Sequence, residues 1–164
     1  AATVAIQKTH KANAKTVVEE AAKVLVDEKR KTDDRSGAAL LLGDTGDAAQ
    51  GKALSERIID LNPPRVLRDS DAGVRIKICE ALGNLKAKSK TACGRLLSVI
   101  ADDNEREAVR HAAYEALCAI FALNPSSEGS ADKDKAYAAS QGKDARGPVV
   151  QKWTEYVNGQ NLQD

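Results

Sequence analysis

The feature that most constrains this chain is an internal repeat between Asp69 and Phe121. Two segments, which begin near residues 69 and 104, align at a shift of 35 residues, and each places a short acidic turn ahead of an amphipathic stretch. The matching positions are Val74 with Val109, Arg75 with Arg110, Glu80 with Glu115, Ala81 with Ala116 and Leu82 with Leu117. Self-similarity at such a period is typical of stacked helical repeats.

A second predicted helix follows the first in each unit, so the repeating element is a pair of helices. In unit two this second helix covers about residues 90–102, and in unit one about residues 47–61. Their apolar positions match at a shift of 42 residues: Leu54 with Leu96, and Ile58 with Ile100. The Pro-Pro pair at 63–64 separates the two units, because proline cannot continue a helix.

Residues 14–30 carry one apolar stripe at helical spacing and a charged opposite face. The stripe consists of Val17, Val18, Ala21, Ala22, Val24 and Leu25. A stacked array needs such a helix at its end, since the outer face meets water. We predict an N-terminal capping helix, although the first helix of an ordinary bundle has the same pattern. Residues 1–13 are predicted to be an irregular arm, and residues 14–164 a single domain.

A degenerate copy of the repeat lies at residues 33–43. The positions that match the later copy at a shift of 40 residues are Arg35, Leu42 and Gly43. The match is partial, because Asp34 stands where the later copies have valine. We expect Asp33 or Asp34 to cap the start of this helix, and Gly43 to end it in a left-handed turn.

The region from Asp33 to Phe121 resembles HEAT repeats, through its paired helices, its period of 35 to 42 residues and the run Asp-x-Asp…Val-Arg…Ala-Leu-Gly that ends at Gly83. It is most similar to the short HEAT-like repeats of bacterial proteins and phycobilin-lyase relatives. The resemblance implies an all-α fold. We predict a short right-handed α-solenoid with about three helix pairs, an N-terminal capping helix and a C-terminal sealing helix.

Ties between successive units are also implied by this resemblance. In the family, an aspartate of the turn and an arginine of the first helix commonly bridge neighbouring units. The residues that carry this role over to the present chain are Arg35, Arg75, Arg110, Asp69, Asp71 and Asp102. Family members mostly bind other macromolecules along the concave side formed by the second helices, and a few branches are enzymes.

Unit three departs from the pattern after Phe121. Residues 122–147 contain few large apolar side chains and are predicted to be an insertion loop. A last helix is predicted to start at Gly147-Pro148, where proline suits the first turn. Its stripe includes Trp153 and Tyr156, which either close the end of the stack or form an exposed docking anchor.

Composition indicates a folded globular protein, with 42% hydrophobic and 30% charged residues and a net charge of +1. This charge gives no global attraction to nucleic acid or to anionic membranes. No stretch of 18 apolar residues exists to span a bilayer.

The chain lacks methionine and begins with Ala1-Ala2-Thr3, as expected after removal of a signal peptide or of an expression tag. An exported, periplasmic-type compartment and the cytoplasm therefore both stay open.

Residues that commonly carry catalysis form no recognisable motif here. The sequence has no P-loop, no G-x-G-x-x-G and no G-x-S-x-G, and its two histidines are His10 and His111. His111 and Glu115 are spaced for a metal but lack a third ligand. Cys79, Cys93 and Cys118 show no C-x-x-C spacing, so we expect buried thiols, or one disulfide and one free thiol. We predict no catalytic residue, no metal and no cofactor.

A local excess of positive charge lies between Arg65 and Arg95. Eight basic residues face three acidic ones there, a balance of +5, and Lys86-Ala-Lys88-Ser-Lys90 falls at the turn between two helices. This patch suits an acidic protein or phosphates, although no aromatic residue accompanies it in the sequence and a plain solvated turn has the same composition. The predicted partner-binding residues are Lys86, Lys88, Lys90, Arg95, Lys52, Arg57, Trp153 and Tyr156.

These observations predict a non-catalytic interaction or assembly subunit. It would dock onto a larger protein complex, or associate with copies of itself into an oligomer or filament. Two alternatives stay open: a HEAT-like nucleic-acid-binding module, and a lyase-like or chaperone-like HEAT protein with a ligand in its groove.

Overall fold

The computed structural model describes residues 15–45, 69–123 and 142–163, and all regular secondary structure in these ranges is helical. The helices are α1 (15–26), α2 (Thr32–Thr45), α3 (Ala72–Asn84), α4 (Lys90–Ala101), α5 (Glu107–Phe121) and α6 (Lys143–Asn158). The predicted all-α fold is confirmed. The predicted N-terminal arm, the second helix of unit one with Lys52 and Arg57, and residues 124–141 of the insertion lie outside the described residues.

The first helices of the three units pack side by side in chain order. Helix α2 packs against α3, and α3 packs against α5, while α4 packs on α5 and α6 packs on α4. The chain therefore forms the short solenoid of stacked helices that the repeat predicted. One apolar core runs through all six helices, and its largest fully buried side chains are Trp153, Leu42, Ile78, Leu96, Ile100 and Leu117.

Local chemistry explains where several helices begin. The Asp71 carboxylate accepts hydrogen bonds from the backbone N–H groups of Gly73 and Val74, at 2.7 and 3.1 Å, and so caps α3. The Ser89 hydroxyl accepts from Ala92 N–H at 3.1 Å and caps α4.

In α1 the buried residues fall at i, i+3, i+4 and i+7, one face of a helix: Val18, Ala21, Ala22 and Leu25.

Two glycines allow the first helices to approach one another closely. A Cβ atom on Gly43 would lie 2.8 Å from the Ala81 Cα atom, and one on Gly83 would lie 3.0 Å from the Ala116 Cα atom. Gly43 and Gly83 are matching positions of the repeat, as are Ala81 and Ala116. The same contact is thus made twice, once at each junction between units.

Arginine side chains form a second regular set of ties along the same layer. Arg35 of α2 pairs with the carboxylate of Asp69, which precedes α3, and both side chains are buried. Arg75 of α3 donates from Nε and Nη2 to the two carboxylate oxygens of Glu105, which precedes α5, at 2.8 and 2.6 Å. Each pair therefore links one unit to the turn of the next.

The arginines of α3 and α5 also bind the turns of their own units. Arg75 Nη1 donates to the Asp69 carbonyl, and Arg110 Nη1 donates to the Glu105 carbonyl. At Arg75, bidentate binding of a carboxylate and a further bond to a carbonyl use all three nitrogens of the planar guanidinium, which the point charge of lysine does not reproduce.

The predicted set of ties needs two corrections. Asp71 caps α3, and the Asp102 carboxylate accepts from the Asn104 N–H at 2.9 Å in the turn after α4; neither pairs with an arginine in the ranges described. Glu105 takes the bridging role instead. Its position aligns with Ser70 at the 35-residue shift, so the repeat did not indicate it.

The boundaries of three helices differ from those predicted. Helix α1 ends at residue 26 rather than 30, and a turn follows in which the Asp27 carboxylate accepts from Lys29 N–H at 3.0 Å. Helix α2 begins at Thr32, so Asp33 and Asp34 lie in its first turn rather than at its cap. It also continues past Gly43, whose role is the close contact with Ala81.

Helix α6 begins at Lys143 and contains Pro148, so its predicted start at Gly147 is wrong by four residues. Near its start, Arg146 and Lys143 pair with Asp103 in the turn between α4 and α5. Near its end, Tyr156 contacts Phe121 at the end of α5. Helix α6 therefore runs in the same direction as α5, whereas the second helix of an ordinary pair runs in the opposite direction.

The close approach of the helices predicts opposite effects for two substitutions within α2. Gly43→Ala should lower the free energy of unfolding by about 1–3 kcal/mol, because the new methyl group meets backbone atoms of α3. Gly37→Ala, at a helical site with no atom within 4 Å of the added Cβ, should raise it by about 0.5–1 kcal/mol. Urea denaturation measures both, and equal changes of one sign would contradict this packing.

Candidate protein-binding surface

The helix stack has two edges with different chemistry. Helices α3 and α5 both start at the turns that hold Asp69 and Glu105, which we call the arginine edge (residues 69–71 and 102–106). Both end at the opposite side, where the turn 85–90 lies beside the ends of α5 and α6; we call this side the basic edge. The carboxylates of the arginine edge are engaged in helix caps, turns and arginine pairs, whereas the turn of the basic edge carries three lysines.

The turn of the basic edge is fixed by backbone hydrogen bonds. Lys86 N–H donates to the Gly83 carbonyl and Ala87 N–H donates to the Leu82 carbonyl, each at 3.0 Å, which is the Schellman arrangement for ending a helix. Lys86 accordingly adopts a left-handed conformation, with φ of 48°. Ala87 is buried and Ser89 caps α4, so this turn has its backbone anchored at both ends.

Lys86, Lys88 and Lys90 are all exposed. Most other basic side chains of the described residues are paired with carboxylates, for example Lys77 with Glu80 at 2.7 Å. Within those residues, the structure shows no ion pair for the three lysines of the basic edge. Arg95, also predicted to bind a partner, is half-buried on α4.

An aromatic ring lies beside these lysines, contrary to the impression given by the sequence. The Lys88 Nζ atom is 5.3 Å from the centroid of the Phe121 ring, within the range of a cation–π contact. The two residues are far apart in the chain and meet because α3 and α5 are parallel neighbours. Phe121 is half-buried, so part of the ring remains at the surface.

Phe121 belongs to a cluster of aromatic residues that joins α5 to α6. Edge-to-face contacts connect Phe121 with Tyr156 at 5.2 Å, Trp153 with Tyr156 at 5.9 Å and Tyr114 with Trp153 at 6.0 Å between centroids. Trp153 has 0% exposure, so it closes the core, which is one of its two predicted roles, and the prediction that it binds a partner is wrong. Tyr156 is half-buried and remains at the surface.

Cys79, Cys93 and Cys118 form no disulfide bond, and all three are buried. Burial raises the pKa of the Cys79 thiol to about 12, with a further contribution from the nearby Glu105 and Glu80 carboxylates. Burial likewise raises the pKa of Cys93 to about 11. Both thiols are therefore protonated at neutral pH, the form that is the weaker nucleophile.

His111 and Glu115 form an exposed pair on α5, with Nε2 and Oε1 separated by 3.4 Å. Among the described residues, no three His, Cys, Asp or Glu side chains come together as possible ligands of a metal ion. In the same ranges, no helix is long and apolar enough to cross a bilayer.

Comparison with protein families agrees with this architecture. The sequence model for HEAT repeats matches residues 64–153, which is 90 of the 164 residues. The chain belongs to the HEAT-repeat family. The matched HEAT region covers units two and three and reaches α6 at Trp153, while the degenerate first copy lies outside it. Neither curated proteins nor solved structures gave a match. The finer likeness to phycobilin-lyase-type repeats stays a prediction.

The left-handed backbone at Lys86 generates a prediction for stability. Lys86→Gly should raise the free energy of unfolding by about 0.5 kcal/mol, since relief of roughly 1 kcal/mol of strain exceeds the added entropy of the unfolded chain. Lys88→Gly removes the same charge at a residue without positive φ, and it should lower the free energy of unfolding by about 0.5–1 kcal/mol. Chemical denaturation compares them, and a Lys86→Gly variant that loses as much stability as Lys88→Gly would refute the assignment.

Proposed function

We propose that this HEAT-repeat protein is a non-catalytic interaction subunit that docks onto a larger protein partner through its basic edge. The observation that carries the proposal is the group of three exposed lysines, without ion pairs in the described residues, on a turn whose backbone is fixed. A surface that is already ordered loses little conformational entropy on binding. Half-buried aromatic rings beside the charges add the apolar contact that protein interfaces use.

The distribution of charge favours an acidic protein over nucleic acid. Three lysines offer few phosphate contacts, and nucleic-acid affinity grows with the number of phosphates neutralised. Toward the opposite edge, the first turns of α2 and α5 expose Asp33, Asp34 and Glu107, which would repel a long polyanion. A short acidic segment of a protein fits the small basic patch without meeting these carboxylates.

The groups with reactive potential support a non-catalytic role. The thiols of Cys79 and Cys93 are held protonated by burial. Asp69, Asp71 and Glu105 act in arginine pairs or helix caps. These side chains stabilise the fold, and the proposed function assigns them no catalytic role.

The third unit favours a different protein as partner over continued stacking of identical chains. Cys118 stands at the position of Gly43 and Gly83, whose missing Cβ atoms allow the next first helix to approach. The sealing helix α6 also runs opposite to a regular second helix. Both features disfavour extension of the stack by a further copy with the same geometry, and filament growth by that route is not part of the proposal.

Charge reversal at the basic edge tests this function. We expect the variant Lys86→Glu/Lys88→Glu/Lys90→Glu to bind the native partner about tenfold more weakly or worse, because three favourable charges become repulsive. The partner would be isolated from source cells on the tagged wild-type chain, purified, and its affinity measured directly with both chains. Reversal of the exposed Lys15, Lys29 and Lys31 on α1 and the turn after it is the matched control.

Equal affinity of the wild-type chain and the basic-edge variant would refute the proposed docking site. Salt-sensitive binding of duplex DNA by the wild-type chain, lost in the same variant, would instead establish the nucleic-acid-binding alternative.

A further inference from the structure

We propose that the basic edge recognises an acidic peptide segment that carries one aromatic or large aliphatic side chain. The carboxylates would bind Lys86, Lys88 and Lys90, and the apolar side chain would pack on the rings of Phe121 and Tyr156. This inference rests on the proposed function and adds to it the chemical class of the partner segment.

The charged half of the site is held by tight turns of the backbone. Lys88 N–H donates to the Lys86 carbonyl at 2.6 Å, and Ser89 N–H donates to the Ala87 carbonyl at 2.9 Å. Ala87 points into the core while the lysines on either side of it are exposed. The three ammonium groups therefore project from one short, ordered segment, which suits a run of carboxylates rather than a single anion.

The apolar half is formed by Phe121 and Tyr156. Their rings meet edge to face at 5.2 Å and rest on the fully buried Trp153, which fixes their positions. Both rings are half-buried, so each retains exposed surface. Aromatic residues held in place at a surface are the kind of group that dominates binding energy in interfaces.

Lys88 connects the two halves. Its ammonium group covers the Phe121 ring in the unbound chain, 5.3 Å from the centroid. A cation–π contact at an exposed site and a surface ion pair are of comparable strength. A carboxylate can therefore draw Lys88 away from the ring at little net cost and uncover the ring face for an apolar side chain. Acidic and apolar recognition are then coupled in one segment.

The strained backbone of Lys86 agrees with a role for its side chain. Glycine adopts a φ of 48° without cost, and a lysine there is disfavoured by the contact of its Cβ atom with the backbone. Strain of this kind is often found where a side chain has a binding role.

A titration followed by NMR tests the inference with defined peptides. The probe is a glutamate-rich peptide with one central phenylalanine, and its control has glycine in place of the phenylalanine. We expect the amide signals of residues 85–90, 121–123 and 153–157 to shift, and the phenylalanine peptide to bind about fivefold more tightly than the glycine peptide. This comparison changes the probe and leaves the protein intact.

Protein variants locate the two halves of the site. Lys86→Gln/Lys88→Gln/Lys90→Gln should remove the shifts with both peptides. Phe121→Leu, with its fold checked by the same spectra, should reduce the preference for the phenylalanine peptide to about twofold, because an edge-to-face contact is lost. Lys29→Gln/Lys31→Gln should bind as the wild-type chain does.

Several outcomes would overturn the inference. Equal affinity for the two peptides, shifts that lie elsewhere, or tighter binding of a single-stranded oligonucleotide of equal charge would each do so. Lysine-dependent binding of both peptides without a preference would leave the proposed docking function standing. Absence of peptide binding, together with unchanged partner affinity in the charge-reversed chain, would refute both the proposed docking function and the inferred peptide recognition.

Discussion

Two polar interactions of the Arg75 side chain hold the stack together at its centre. Its guanidinium binds the Asp69 carbonyl in the turn of its own unit and the Glu105 carboxylate in the turn of the next unit. Arg35 and Arg110 extend this chain of contacts to both neighbours. Removal of one partner from a buried pair leaves an uncompensated charge, which costs about 3–5 kcal/mol. Successive first helices are therefore fixed in register at one edge.

The same register also forms the basic edge. Parallel first helices that start together at the arginine edge also end together, so the turn after α3 and the end of α5 lie side by side. This is why Lys88 meets Phe121. The close approach at Gly43 and Gly83 keeps the layers tight, and α6 then completes the edge by adding Tyr156. One edge carries the arginine pairs that stabilise the stack, and the other carries the exposed lysines of the proposed docking site.

Periodicity in the sequence was sufficient to predict the helix pairs, the stacked arrangement and the arginine positions, because apolar spacing and the repeat report directly on packing. Other features depended on three-dimensional proximity. Glu105 lies one position away from the acidic residue of the other copy, so the alignment did not reveal it. Gly43 could equally have ended a helix or permitted a close contact, and only the presence of Ala81 beside it decides between these roles.

The candidate site likewise combines residues that the sequence predicted with residues that only three-dimensional proximity reveals. The lysines of the turn could be predicted from their spacing and their place between two helices. Phe121 was missed as a member of the site because it lies 33 positions from Lys88 in the chain. The sequence left both a core role and a docking role open for Trp153, because an aromatic stripe on a last helix looks alike whether it faces the core or solvent.

A double-mutant cycle on Arg75 and Glu105 tests most directly whether these ties hold the units in register. The free energy of unfolding would be measured for Arg75→Gln, Glu105→Gln and the double variant, with Lys77 and Glu80 as a more exposed control pair. The structure predicts a coupling of about 1–3 kcal/mol for Arg75–Glu105 and about 0.2–1 kcal/mol for the control. A coupling for Arg75–Glu105 no larger than that of the control pair would contradict the account.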